Sequence, residues 1–229
     1  MPRPGRGWPF TLPPVAHVVE HGLRFEAPVT FLVGENGSGK STLVEAIAEA
    51  YGLDVRGGHA GRRYAPDAVG GPLGAALRLE RSVAGGRMVG RRARGFFLRA
   101  ESAQGVFEAM EGVDGYGPRP AALVSHGESF LQVLDGRFAG PGLYLLDEPE
   151  TPLSFTSCLQ LLARLHEVAA DGAQVVCATH SPVLTALPGA VLLELGDHGV
   201  RRVQWDDLDV VAHQRRFLAD PPSYLRHLL

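Results

Sequence analysis

Lysine, asparagine and isoleucine are almost missing from these 229 residues: Lys40, Asn36 and Ile47 are the sole representatives of their kinds. Lys40 stands alone among 22 basic side chains, the rest being arginine. Codon bias in a GC-rich genome depletes all three residue types together. It does not explain why the surviving lysine and asparagine share one glycine-rich loop. A position that keeps Lys under such pressure needs a compact ammonium rather than a planar guanidinium. Cysteine is scarce too. Cys158 and Cys177 are too few for a disulfide framework, which predicts a reducing cytoplasm and leaves room for one bridge at most. No apolar run approaches the roughly 18 residues a bilayer span needs. The first ten residues lack the apolar stretch of a signal peptide. A net charge of −3 gives no global pull towards nucleic acid. What is present is ordinary for a water-soluble globule, 45% hydrophobic and 21% charged. The length predicts one domain over residues 1–229, with a lobe inserted at about 52–124.

The pattern of apolar residues predicts an α/β fold. Val29–Val33 is a short run with β-branched members, bounded by Pro28 and Gly34, and reads as a buried strand. Ser41–Tyr51 follows as a helix with Leu43, Ile47 and Ala50 on one stripe and Gly52 as its stop. Residues 54–74, rich in Gly, Arg and Pro, read as a loop or mobile insertion. Leu77–Leu79, Arg87–Val89 and Gly95–Arg99 are expected as strands of a small antiparallel lobe. Further core strands are expected at Gly142–Leu146, Gln174–Thr179 and Ala190–Leu195, with a helix over Leu153–Ala170. Apolar residues throughout these strands argue for burial on both faces. Their alternation with helices argues for a mainly parallel sheet flanked by helices.

Four stretches carry chemistry. Gly34-Glu-Asn-Gly-Ser-Gly-Lys-Ser-Thr42 fits G-x-x-x-x-G-K-[ST] between a strand and a helix. Its glycines let backbone N–H groups converge on phosphate oxygens, and the following helix directs its positive end at the same anion. Asn36, Gly37, Ser38, Gly39, Lys40, Ser41 and Thr42 are the expected phosphate contacts, with Lys40 on the β/γ-phosphates and Ser41 a ligand of Mg²⁺. Leu143-Tyr-Leu-Leu-Asp-Glu-Pro-Glu150 is an apolar strand ending in acids. Asp147 would hold the metal through water, and Glu148 would polarise the attacking water. Thr179-His-Ser-Pro182 follows another strand and offers His180 to the γ-phosphate. Val124-Ser-His-Gly-Glu128 offers Ser125 and Gly127 at a helix start, where a capped N-terminus also forms an anion site.

In this order the motifs resemble those of ABC-type P-loop ATPases. The GENGSGKST loop, the SHGE form of the signature and the ATHSP end are similar to compact stand-alone ATPases related to SMC and DNA-repair heads and to OLD-type nucleases. The resemblance covers about residues 15–195. It implies ATP and Mg²⁺ as ligands, ATP hydrolysis, and catalytic roles for Lys40, Glu148 and His180. It also implies a head-to-tail homodimer in which Ser125 and Gly127 act on ATP held by a second copy. Pro152–Ser154 would cross that interface, and a partner protein would be moved by it. The chain departs from the family in two places. His126 replaces the first signature glycine, and no Gln stands plainly at the metal-contacting Q-loop, leaving Glu101 and Gln104 as candidates. The adenine-stacking aromatic is open among Trp8, Phe10 and Phe25. A guanine-reading N-K-x-D motif is excluded because no second Asn or Lys exists. The alternative is the nucleotide-binding subunit of a transporter, which would add a membrane permease as partner. Arg87, Arg91, Arg92, Arg94 and Arg99 read as the solvated edge of the small lobe, with nucleic-acid phosphates as the competing ligand.

Overall fold

Every residue of the strand at Val29–Val33 (β1) is buried in the computed structural model, which describes residues 7–59, 70–80, 94–102, 131, 134, 136–226 and 228. Burial on both faces is what an apolar run without alternation requires. Before β1 lies helix α1 (Pro13–His21), and after it α2 (Lys40–Tyr51). Then come β2 (Gly58–His59), α3 (Pro72–Ala76), β3 (Gly95–Arg99) and β4 (Leu143–Asp147). Helix α4 (Phe155–Ala170), β5 (Gln174–Thr179), β6 (Val191–Gly196) and β7 (Gly199–Val203) follow. Helices α5 (Asp209–Ala219) and α6 (Pro221–Leu225) close the described chain.

The seven strands form one sheet in the order β2-β3-β4-β5-β1-β6-β7. From β3 to β6 all neighbours are parallel, and β2 and β7 are antiparallel edges. Successive side chains on a strand point to opposite faces, and each face has its own core. Phe31, Phe96, Leu98, Leu146, Val175 and Cys177 meet Leu161, Leu165 and Val168 of α4 on one side. Leu32, Phe97, Leu145, Val176 and Ala178 meet Val15 of α1 and Leu43, Val44 and Ile47 of α2 on the other. Cys158 and Cys177 are both buried free thiols, so the single bridge the sequence allowed does not form.

Three local expectations need correction. Gly95–Arg99 is not a strand of a separate antiparallel lobe: it pairs in parallel with β4, inside the main sheet. Phe96, Phe97 and Leu98 are fully buried, and two-sided burial of consecutive residues is available at that position but not on a small outlying lobe. Leu77–Leu79 is not a strand either; it follows helix α3, which starts on Pro72 at its first position. The strand expected at Arg87–Val89 lies outside the described residues. Nor is 54–74 loop throughout: Gly58–His59 adds β2 to the sheet by pairing with β3, and Pro72 opens α3. The sequence reading also left α1, β7, α5 and α6 unassigned.

Candidate functional site

Strand register alone gathers the motifs at one edge. Val33 pairs with Thr179, Asp147 with Ala178, and Arg99 with Asp147. The residues that leave these strands, Gly34, His180 and Glu148, therefore emerge at the carboxyl ends of adjacent parallel strands. Such edges are where open α/β sheets hold ligands.

The Gly34–Thr42 loop is shaped by contacts that only glycine permits. A Cβ on Gly34 would sit 2.5 Å from the Leu195 carbonyl oxygen and 2.7 Å from Ser38 Oγ. Gly39 precedes α2 with φ 94°, a left-handed value that costs other residues about 1–2 kcal/mol. No side chain caps this helix, so the first turn presents its unpaired N–H groups and positive dipole end to whatever lies in front. Ser38 Oγ is buried without a hydrogen-bond partner. Lys40, 3% exposed, curls back and donates to the carbonyls of Gly34 and Glu35, both at 2.8 Å. Burial lowers its pKa, against the opposing pull of the Glu148, Asp147 and Glu150 carboxylates. An uncapped helix start, an orphaned hydroxyl and a buried ammonium fit a polyphosphate.

Across the loop, Ser41 Oγ donates to Asp147 Oδ1 at 2.9 Å, joining residues 106 apart in sequence. Burial is the main cause that pushes the Asp147 pKa up to about 6; the Ser41 bond and the Arg99 charge pull the other way. A buried carboxylate beside a hydroxyl, short of positive charge, suits a hard divalent cation that takes oxygen ligands. Ser41 and Asp147 are thus the pair that could hold Mg²⁺. Glu148 is the one non-glycine described residue with positive φ, 49°, and its N–H donates to Ala178 O at 2.9 Å. In that conformation Glu148 Oε1 stands 3.8 Å from Lys40 Nζ and 3.8 Å from His180 Nδ1.

The fold thus brings Lys40, Ser41, Asp147, Glu148 and His180 together. Ser125 and Gly127 lie outside the described residues, as does Gln104. Glu101 is exposed and its Oε2 pairs with Arg99 at 2.9 Å. Of the aromatics, Phe10 and Phe25 pack against the α1–α2 core, whereas Trp8 is 70% exposed. Ser154, at the end of the Pro152–Ser154 turn, caps α4 by accepting from Ser157 N.

Three neighbours escaped the sequence reading. Arg99 is not on a solvated arginine edge: its guanidinium bonds Glu45 of α2 and its Nε lies 3.6 Å from Asp147 Oδ2. Arg87, Arg91 and Arg92 lie outside the described residues. Glu45 recurs one turn after Ser41 on α2, a spacing that could have flagged it. Glu150, in the LLDEPE stretch, accepts from Thr179 Oγ1 at 2.5 Å and from His180 N at 2.9 Å.

A phosphate loop between β1 and α2, facing acids at the tip of β4 across the intervening β5, is the arrangement of a P-loop nucleotide site. Two family models match the chain: "AAA domain" over residues 18–63, and "AAA domain, putative AbiEii toxin, Type IV TA system" over residues 108–186. The ribose import ATP-binding protein of Burkholderia pseudomallei is 29% identical over 171 residues, 65% of this chain and 33% of that protein. The chain spans about a third of the length of that relative. Among solved structures, the SMC head domain from Thermotoga maritima matches with TM-score 0.45 at 15% identity, covering 79% of this chain and 91% of that one. The cbiO1 chain from Clostridium perfringens, part of the ABC transporter complex cbiONQ, matches with TM-score 0.42 at 16% identity, covering 90% of each. The two family models fall on the two halves of the site, the first on the phosphate loop and the second on the strand-tip acids and His180. Among the described residues no helix is long and apolar enough to cross a membrane.

Proposed function

We propose that this chain binds ATP·Mg²⁺ and hydrolyses it to ADP and phosphate, working as a head-to-tail homodimer that moves a partner protein. One observation carries the reading. The phosphate-loop serine and the strand-tip aspartate share a 2.9 Å hydrogen bond, while Glu148 faces both Lys40 and His180 at 3.8 Å. Lys40 and the backbone of Asn36–Thr42 hold the phosphates. Glu148 takes a proton from the attacking water as the terminal phosphoryl group leaves ADP, and His180 holds that group and the water in line. Mg²⁺ at Ser41 and Asp147 would neutralise charge on the phosphate oxygens. Ser125 and Gly127 of a second copy close over the nucleotide, and the turn at Pro152–Ser154 meets its counterpart. One domain spans residues 1–229, with residues 52–124, β2 and β3 aside, as its inserted lobe.

Glu148→Gln tests this directly. The variant should still bind ATP·Mg²⁺, sediment as a dimer in its presence, and turn over at least about a hundredfold more slowly. Monomers alone under ATP-trapping conditions would refute the sandwich. The ribose-import relative favours a second reading, in which the chain energises a membrane permease. Recovery of a permease with trapped Glu148→Gln would select that reading, and recovery of water-soluble partners the first.

A further inference from the structure

Glu150 is nearly buried, its side chain 8% exposed, yet it belongs neither to the metal pair nor to the phosphate loop. Its Oε1 is crowded with donors. It accepts from the Thr179 hydroxyl at 2.5 Å and from the His180 backbone N–H at 2.9 Å. The Thr179 hydroxyl in turn accepts from Ser181 N at 2.9 Å, so one carboxylate fixes the backbone on both sides of the histidine. The imidazole Nδ1 of His180 lies 3.5 Å from the same oxygen. The other oxygen, Oε2, is buried and has no hydrogen-bond partner. A buried carboxylate oxygen left bare costs about 1–3 kcal/mol, so it exerts a standing pull on the nearest available donor. His180 Nδ1, 3.5 Å from Oε1, lies beside this under-satisfied carboxylate. An imidazole that donates from Nδ1 is left with Nε2 as its free nitrogen, and a carboxylate partner is the usual device that selects this tautomer.

We propose that Glu150 is a positioning residue for His180: it anchors the Thr179–Ser181 turn, draws the proton to Nδ1 and leaves Nε2 facing the nucleotide. This rests on the ATPase reading for its purpose but not for its geometry. It also gives the neighbouring acids separate tasks. With Glu150 taking the Nδ1 proton, Glu148 is spared a hydrogen bond from His180, 3.8 Å away, and keeps its lone pairs for water.

Imidazole ¹⁵N resonances of the nucleotide-free protein test the geometry, His180 being assigned by its loss in His180→Gln. The wild type should show the Nδ1–H tautomer. Glu150→Gln keeps an oxygen for Thr179 and His180 N but removes the carboxylate charge beside Nδ1, so the ring should shift towards Nε2–H. Unchanged His180 resonances in this variant would overturn the proposal. Steady-state kinetics test the purpose: Glu150→Gln should lower kcat tenfold or more with KM for ATP moved less than threefold. Its effect should vanish in a His180→Gln background. Equal losses in kcat and kcat-independent ATP binding, or full additivity with His180→Gln, would overturn the positioning role. Absence of turnover in the wild type would instead refute the ATPase reading, with the ¹⁵N tautomer still deciding whether Glu150 sets the ring.

Discussion

Two buried carboxylates on this sheet, Asp147 at the tip of β4 and Glu194 within β6, are equally hidden and differently treated. Glu194 is fully served. Its Oε1 accepts from Asp209 N at 2.8 Å, and its Oε2 from Arg201 Nε at 2.8 Å and from the Arg201 terminal nitrogen. That cluster ties β6 to β7 and to the start of α5. Asp147 has one hydroxyl donor and a guanidinium nitrogen at 3.6 Å, and burial drives its pKa to about 6. The loops that leave β1 and β4 carry the unpaired Ser38 Oγ and Glu150 Oε2 and the left-handed Glu148. The difference separates scaffold from site. A buried charge whose partners all come from the chain holds the fold, whereas one left short of partners is a seat for a ligand.

Substitutions can break that contrast. The largest effect is expected from Lys40→Ala, which removes the chain's only lysine and should weaken ATP binding at least a hundredfold, about 3 kcal/mol, in a fluorescent-nucleotide titration. Retained micromolar affinity would dissolve the loop assignment. Asp147→Asn comes next and should act in opposite directions on fold and function. The raised pKa of Asp147 means that the unfolded chain ionises first, so stability is lost as pH rises from about 4 to about 6 and stays lost above. Asparagine escapes that loss. Urea denaturation of the nucleotide-free variant at pH 7 should show a gain on the order of 1–2 kcal/mol that disappears below pH 4, while Mg²⁺-dependent turnover vanishes. The wild type should likewise lose Mg²⁺ affinity as pH falls through about 6. A variant less stable than the wild type at pH 7 would remove the distinction between the two carboxylates.

Glu194→Gln should do the reverse: a stability loss of about 1–2 kcal/mol in the same denaturation experiment, with ATP binding unchanged. The smallest effect is assigned to Arg99→Ala. Its charge holds the Asp147 pKa down, so its removal should shift the midpoint of pH-dependent Mg²⁺ binding upward, by titration calorimetry, with under about 1 kcal/mol lost in stability. A downward shift would show that Arg99 competes with the metal rather than priming its seat.

Much of this was legible in the chain because it is local. The loop needs glycine where a Cβ would strike Leu195 O, and it needs one ammonium. Both requirements are written in consecutive residues. The strands β1, β4, β5 and β6 announce themselves because burial on two faces leaves no polar alternation to confuse them. Gly95–Arg99 was recognisable as a strand but not as a central one, since parallel pairing with β4 joins it to a segment more than forty residues away. Helix α1 opens on two prolines, which the sequence alone reads as punctuation and the structure places at the first helical turn.

The sequence by itself determined that a phosphate loop precedes a helix, that acids end a buried strand and that a histidine ends another. Local backbone chemistry and apolar patterning suffice for each. Only the tertiary structure decided their arrangement. Placing β5 between β1 and β4 sets His180 beside Glu148, binds Ser41 to Asp147 and brings Arg99 and Glu45 to the same edge. It also decided how each acid is partnered. The carboxylates of LLDEPE part company only when β5 delivers two donors to Glu150 and leaves Asp147 with one hydroxyl donor and a raised pKa.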